Sequence, residues 1–219
     1  MRLQLAIDFL DLAEAERLVA NLRDLIDIVE VGTPVILRDG VAAVRRLRAA
    51  FPDLALLADL KIADGGRFEA TLGFEAGAGL VTVLATAADA TVRGALQAAA
   101  EHGGEIMVDL MGAHDPAARA REVEALGAHY VCLHTPVDVQ LGERDALERA
   151  ALGLRQVRAG LRTARTAVAG GITPVNAGSA AALEPDIVIV GAGVTRAADP
   201  RAAASAVRAA LRGRGEVTR

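Results

Sequence analysis

The fold predicted by this sequence is a single α/β domain over residues 1–219, a closed (β/α)8 barrel of the TIM type, and three observations predict it. Short apolar runs alternate with longer amphipathic stretches eight times, the pattern of parallel strands covered by helices. Polar residues and glycines gather at the C-terminal ends of those runs. The 219 residues allow about 27 per βα unit, a compact version of a fold that usually takes about 250 residues.

The strand-like runs, in order, are LQLAID (3–8), DIVEV (27–31), LALLADLK (54–61), LVTVL (80–84), EIMVDL (105–110), HYVCLH (129–134), RTAVAG (165–170) and DIVIVG (186–191). Between them, Asp115-Pro116, Thr173-Pro174 and Asp199-Pro200 each place a capping oxygen before a first-turn proline. Gly77, Gly103 and Gly127 fall where helices should stop. Eight such units could also form an open doubly wound sheet. The polar residues favour closure: Asp8, Glu30, Asp59, Lys61, Asp109, His134, Gly170 with Gly171, and Gly191 end seven different strands. In a barrel those ends converge on one mouth, where active sites are built, whereas an open sheet would string them along an edge.

Composition narrows the function. The net charge is −4, with four Phe, one Tyr and no Trp, which leaves neither a basic surface nor stacking platforms for nucleic acid. Every apolar run is broken by charge or glycine well short of the roughly 18 residues of a membrane span. The N-terminus carries an acid at its eighth residue and does not resemble a signal peptide. Cys132 is the only cysteine, so internal disulfides and thiolate clusters are excluded, and a reducing, cytoplasmic setting is the simplest expectation.

The segment Asp59-Leu60-Lys61-Ile62-Ala63-Asp64 is the sharpest feature. Strand periodicity puts Asp59 and Lys61 on one face, with Asp64 in the turn beyond. Lys61 is the only lysine among 24 basic residues; a chain that otherwise uses arginine keeps lysine where a compact ammonium must adjust its pKa or pass a proton. An ordinary strand-end ion pair is the alternative. Glu30 is a second acid at the same mouth and with Asp59 offers oxygens suited to Mg²⁺, although capping or an arginine partner would explain such acids equally. Asp8 either hydrogen-bonds substrate or orients Lys61. His134 ends the sixth strand, where an imidazole can move a proton, or simply satisfy backbone carbonyls; His102, His114 and His129 are expected to face solvent. Ala169-Gly170-Gly171 and Val190-Gly191-Ala192-Gly193 follow strands seven and eight, the recurrent phosphate site of this fold.

These segments, with Asp27-Ile28-Val29-Glu30-Val31-Gly32-Thr33 and Val188-Ile189-Val190-Gly191, resemble the orotidine 5′-phosphate decarboxylase suprafamily over the whole chain. Orotidine decarboxylases use a further lysine upstream of the D-x-K-x-x-D segment, which a chain with one lysine cannot supply. The branches left are the 3-keto-L-gulonate-6-phosphate decarboxylases and the 3-hexulose-6-phosphate synthases. The former have Glu ending strand five, Arg three residues after the strand-six histidine, Thr before Gly-Gly, and Arg after the strand-eight glycine. Here those positions hold Asp109, Val137, Ala169 and Ala192, similar to the synthases; Ile62-Ala63 is the one decarboxylase-like departure.

The resemblance implies that Glu30 and Asp59 hold Mg²⁺, with Mn²⁺ an alternative, and that ribulose 5-phosphate condenses with formaldehyde through a metal-stabilised enediolate. It assigns His134 as base and Lys61 to the developing oxyanion, and puts Asp8 and Asp109 in the catalytic set. Gly170, Gly171, Gly191 and Ala192 would bind phosphate, with Arg196 standing in for the absent arginine. Asp64 would reach into the neighbour's site across a homodimer. The 3-keto-L-gulonate-6-phosphate decarboxylase reaction is the nearest alternative, and a sugar-phosphate-binding barrel without turnover the second.

Overall fold

The computed structural model describes residues 1–140 and 146–213. Its elements run β1 (Arg2–Ile7), α1 (Leu12–Leu22), β2 (Ile28–Val31), α2 (Thr33–Asp39), α3 (Ala42–Ala50), β3 (Ala55–Ile62), α4 (Gly66–Glu75), β4 (Leu80–Leu84), α5 (Asp89–His102) and β5 (Glu105–Asp109). Then follow α6 (Pro116–Leu126), β6 (Tyr130–His134), α7 (Val137–Gln140), α8 (Ala146–Gly160), β7 (Arg165–Ala169), α9 (Ala177–Ala181), β8 (Ile187–Val190), α10 (Ala192–Thr195) and α11 (Pro200–Arg212). The strands are all parallel and pair in sequence order, and β1 meets β8 with Leu3 beside Val188, so the sheet closes. No helix among the described residues is long and apolar enough to cross a membrane.

Each strand serves two cores. Ala6, Ile28, Leu57, Leu80, Met107, Tyr130, Cys132, Ala167 and Ile187 fill the barrel, while Leu3, Leu5, Val29, Val31, Leu56, Val81 and Val108 pack outward under the helices. This is why the strands read as nearly continuous apolar runs. With a period of two, the inward residue after Ala6 is Asp8, after Ile28 Glu30, after Leu57 Asp59, after Leu80 Thr82, after Met107 Asp109 and after Cys132 His134. A polar layer therefore sits directly on an apolar plug.

Asp115 and Asp199 cap α6 and α11 by accepting from the Ala118 and Ala202 N–H groups, and Gly103 and Gly127 end α5 and α6 in left-handed conformation. Two expectations change. Thr173-Pro174 opens a turn rather than a helix: the Asn176 side chain accepts from the Thr173 N–H, and the helix starts only at Ala177. His129 does not face solvent; it is half-buried at the base of the barrel, where its Nδ1 accepts from the Ile106 N–H.

Candidate active site

The mouth at the C-terminal ends of the strands is a cavity of about 570 Å³ lined by Asp8, Glu30, Thr33, Asp59, Lys61, Thr82, Asp109, His134, Gly170, Gly171, Gly191 and Ala192, among others. Ten of the eleven residues picked from the sequence converge there. Asp64 does not: it is exposed in the turn after β3, its carboxylate capping the Gly65 N–H.

Lys61 reaches the mouth by an irregularity, not by simple alternation. Between Ala58 and Ile62, β3 spans only the stretch of β4 from Val81 to Val83, so the strand bulges. Lys61 itself has φ +45°, a left-handed conformation that a non-glycine residue adopts only when its surroundings impose it. Thr82 supplies the restraint. Its Oγ1 accepts from the Lys61 N–H at 2.9 Å and donates to Asp59 Oδ1 at 2.7 Å. Lys61 Nζ pairs with Asp59 Oδ2, lies 3.3 Å from Thr33 Oγ1, and is 4.0 Å from Asp109 Oδ2. Asp8 is not among its partners, so Asp59 and Thr33, not Asp8, orient the lysine.

Asp59 is buried, which alone would raise its pKa; the Lys61 charge and the hydrogen bonds from Lys61, Thr33 and Thr82 overcome that and hold it low. Burial pulls Lys61 down, yet Asp59, Glu30 and Asp109 raise it overall, so the ammonium is stable. Glu30 has the opposite balance. It is buried beside Asp59 and Asp8, and desolvation and those charges push it well above the usual carboxylate range, only partly offset by Lys61 and by Gln4, whose Nε2 donates to Oε2. Asp8 is likewise raised by burial and by Asp59. Its carboxylate lies where a Gly32 Cβ would fall 2.1 Å from Oδ1, so glycine at position 32 is what admits it.

Next to this cluster Asp109 fixes His134. Asp109 Oδ1 accepts from the Met111 N–H at 2.9 Å, and Oδ2 meets His134 Nδ1 at 2.8 Å. A carboxylate at Nδ1 requires the proton there, which leaves Nε2 able to accept one. At the phosphate end Gly170 and Gly171 have φ +98° and +69°, conformations that turn backbone N–H groups toward a ligand without steric penalty. Arg196 makes no ion pair among the described residues; its guanidinium lies 4.7 Å over the ring of Phe9, which lines the cavity.

Sequence reasoning missed Gln4, Thr33 and Thr82. Inward strand positions and polarity in otherwise apolar runs were the available signal, since Gln4 and Thr82 each interrupt one.

The charge of the donor set suits a divalent cation. Asp8, Glu30, Asp59, Asp109 and Asp138 share the cavity with one ammonium and one imidazole, Glu30 Oε1 accepts no hydrogen bond from the described residues, and Gln4 Oε1 is buried without a partner among them. Surplus negative charge and uncommitted oxygens fit a hard dication. Among the described residues no three ligating side chains are grouped so as to hold an ion by themselves.

Known proteins resemble the chain over nearly its whole length. The model of the orotidine 5′-phosphate decarboxylase/HUMPS family matches residues 1–207. The chain is 41% identical over 208 residues to a 3-hexulose-6-phosphate synthase of Bacillus subtilis (95% of this chain, 97% of the relative). It is equally 41% identical over 214 residues to 3-hexulose-6-phosphate synthase 3 of Staphylococcus saprophyticus (98% and 100%). A crystal structure of the synthase from Salmonella typhimurium superposes with a TM-score of 0.91 at 41% identity, covering 96% of this chain and 98% of that one. A crystal structure of KGPDC from Streptococcus mutans gives 0.88 at 28% identity, covering 97% of each. With the family model matched over residues 1–207 and relatives 41% identical over nearly the full length, the chain belongs to the orotidine 5′-phosphate decarboxylase/HUMPS family.

Proposed function

We propose that the protein is an aldehyde-lyase that reversibly condenses formaldehyde with D-ribulose 5-phosphate to give 3-hexulose 6-phosphate. The observation that carries this is the Asp109–His134 pair set against Lys61, whose Nζ lies 4.0 Å from Asp109 Oδ2, with the apolar Val137, not a cation, lining the same cavity. That wall suits a small neutral electrophile. The near-full-length likeness to proteins named 3-hexulose-6-phosphate synthase supports the same reading.

In this mechanism His134 Nε2 takes a proton from C1 of ribulose 5-phosphate while Asp109 steadies the resulting imidazolium. The oxygen that gains charge at C2 lies toward Lys61, whose ammonium is already placed by Asp59 and Thr33 and needs no reorganisation. The C1 carbanion of the enediolate then forms a bond to the formaldehyde carbon. The proton held on His134 passes to the new alkoxide, leaving C2 as the carbonyl. Asp8, free of protein hydrogen bonds among the described residues, is placed to accept from a substrate hydroxyl. Backbone N–H groups around Gly170, Gly171, Gly191 and Ala192 bind the phosphate, with the Arg196 cation nearby.

Glu30 and Asp59 would hold Mg²⁺, or Mn²⁺ in its place, which when bound supplies positive charge to the substrate oxygens as they become anionic. The active unit in this reading is a homodimer. Asp64 is exposed and outside its own cavity, which supports service in the site of a second copy. The lone buried Cys132 supports a reducing, cytoplasmic setting.

The test is formaldehyde consumption with ribulose 5-phosphate and Mg²⁺, repeated with EDTA and with Lys61→Ala. Loss of formaldehyde that both changes abolish is the expected result. CO₂ release from 3-keto-L-gulonate 6-phosphate in its place would transfer the protein to the decarboxylase reaction, and inertness in both assays with ligand binding retained would make it a sugar-phosphate binder.

A further inference from the structure

We propose that Gln4 is a positioning residue for the cation site, acting through Glu30. The inference rests on the reading of Glu30 and Asp59 as cation ligands. Gln4 lies on β1 level with Ile28 of β2, lines the cavity at its floor, and is completely buried. A residue needed only for packing at that depth is apolar, as Ile28, its register partner, is. Its amide reaches one layer up instead, and Nε2 donates to Glu30 Oε2 at 2.5 Å. With Glu30 ionised, as a cation ligand must be, the amide presents Nε2 to it, because the reverse would bring a carbonyl and a carboxylate together.

The consequence falls on the carboxylate. One Glu30 oxygen is pinned by the amide, so the other, Oε1, is held in a defined direction and stays uncommitted among the described residues. Gln4 Oε1 is also sealed from solvent and lacks a donor among the described residues, so the same side chain brings an acceptor for an ordered water or hydroxyl beside the ligand it orients. Groups that orient a metal ligand in this manner typically affect metal affinity 10- to 100-fold.

The experiment measures Mn²⁺ binding to the substrate-free protein through the electron paramagnetic resonance signal of free Mn²⁺, alongside the Tm of the cation-free protein. Gln4→Met keeps the volume and removes both polar atoms; Gln4→Asn keeps the amide but shortens its reach, and serves if the first variant does not fold. The expected result is Mn²⁺ binding about 10- to 100-fold weaker, with the Tm of the cation-free protein unchanged or raised. Binding within about twofold of the wild type, or weakened only in proportion to a fall in Tm, overturns the assignment. Glu30→Gln separates the two levels of the argument. If it weakens Mn²⁺ binding and the Gln4 variants do not, Gln4 alone is misassigned; if it leaves binding intact, the cation reading fails and this inference with it.

Discussion

Replacing Asp109 by Asn changes one atom and is expected to invert the proton on His134. The Asp109 carboxylate serves two donors, the Met111 N–H at Oδ1 and His134 Nδ1 at Oδ2. An amide has one acceptor and one donor. If its oxygen keeps the Met111 N–H, its NH₂ faces Nδ1, forcing the imidazole proton onto Nε2, where it blocks base catalysis. If it flips, Nδ1–H is satisfied but NH₂ confronts the Met111 N–H, and a buried donor left unpaired costs about 1–3 kcal/mol. The productive tautomer is therefore reduced by about 5- to 150-fold from this alone. Loss of the carboxylate that steadies the imidazolium adds to it, and the total expected is about 10²- to 10⁴-fold, or roughly 3–5 kcal/mol of barrier. The assay is exchange of the C1 proton of ribulose 5-phosphate in D₂O, followed by NMR without formaldehyde, so that proton removal is read apart from carbon–carbon bond formation. Exchange within about threefold of the wild type in a folded Asp109→Asn protein would refute His134 as the base.

Four further outcomes are expected. Thr82→Val removes the hydroxyl that holds both the Lys61 N–H and Asp59 Oδ1; it should lower stability by about 2 kcal/mol, roughly 4–8 °C in Tm, and depress activity with it. Gly32→Ala places a methyl 2.1 Å from Asp8 Oδ1 and 2.7 Å from the Ile7 carbonyl, and the displaced carboxylate should cost on the order of 100-fold in kcat/KM. Asp27 is pushed up by burial but pulled lower overall by Arg208 and the Leu3 N–H. Its folded pKa thus lies below the unfolded one, its stabilisation is complete above about pH 4 and disappears as pH falls through the folded value, and Asp27→Asn should flatten denaturation curves across that acid range. Mixing Lys61→Ala with Asp64→Asn subunits should restore about a quarter of wild-type activity in exchanged dimers, since one site in each hybrid is intact; no recovery despite exchange would remove Asp64 from the neighbour's site.

The barrel is legible because its causes are local. Alternating apolar runs, Asp-Pro starts and glycine stops each act within a few residues, and the polar ends of seven strands are brought to one mouth by closure itself. For the same reason Glu30, Asp59, Asp109 and His134 can be read as one group. Thr173-Pro174 misleads because a proline preceded by a capping residue suits a turn as well as a helix, and only the Asn176 bond decides between them.

What the tertiary structure alone decided are the relations between strands. That Thr82 of β4 imposes a left-handed Lys61, that Thr33 after β2 meets both the ammonium and Asp59, and that Gln4 is bonded to Glu30 all depend on register across neighbouring strands. Residues more than twenty positions apart meet there, so no single segment encodes the contact. Pattern within a strand fixes which face a side chain takes; stagger between strands, set by closure of the whole barrel, fixes which partner it meets.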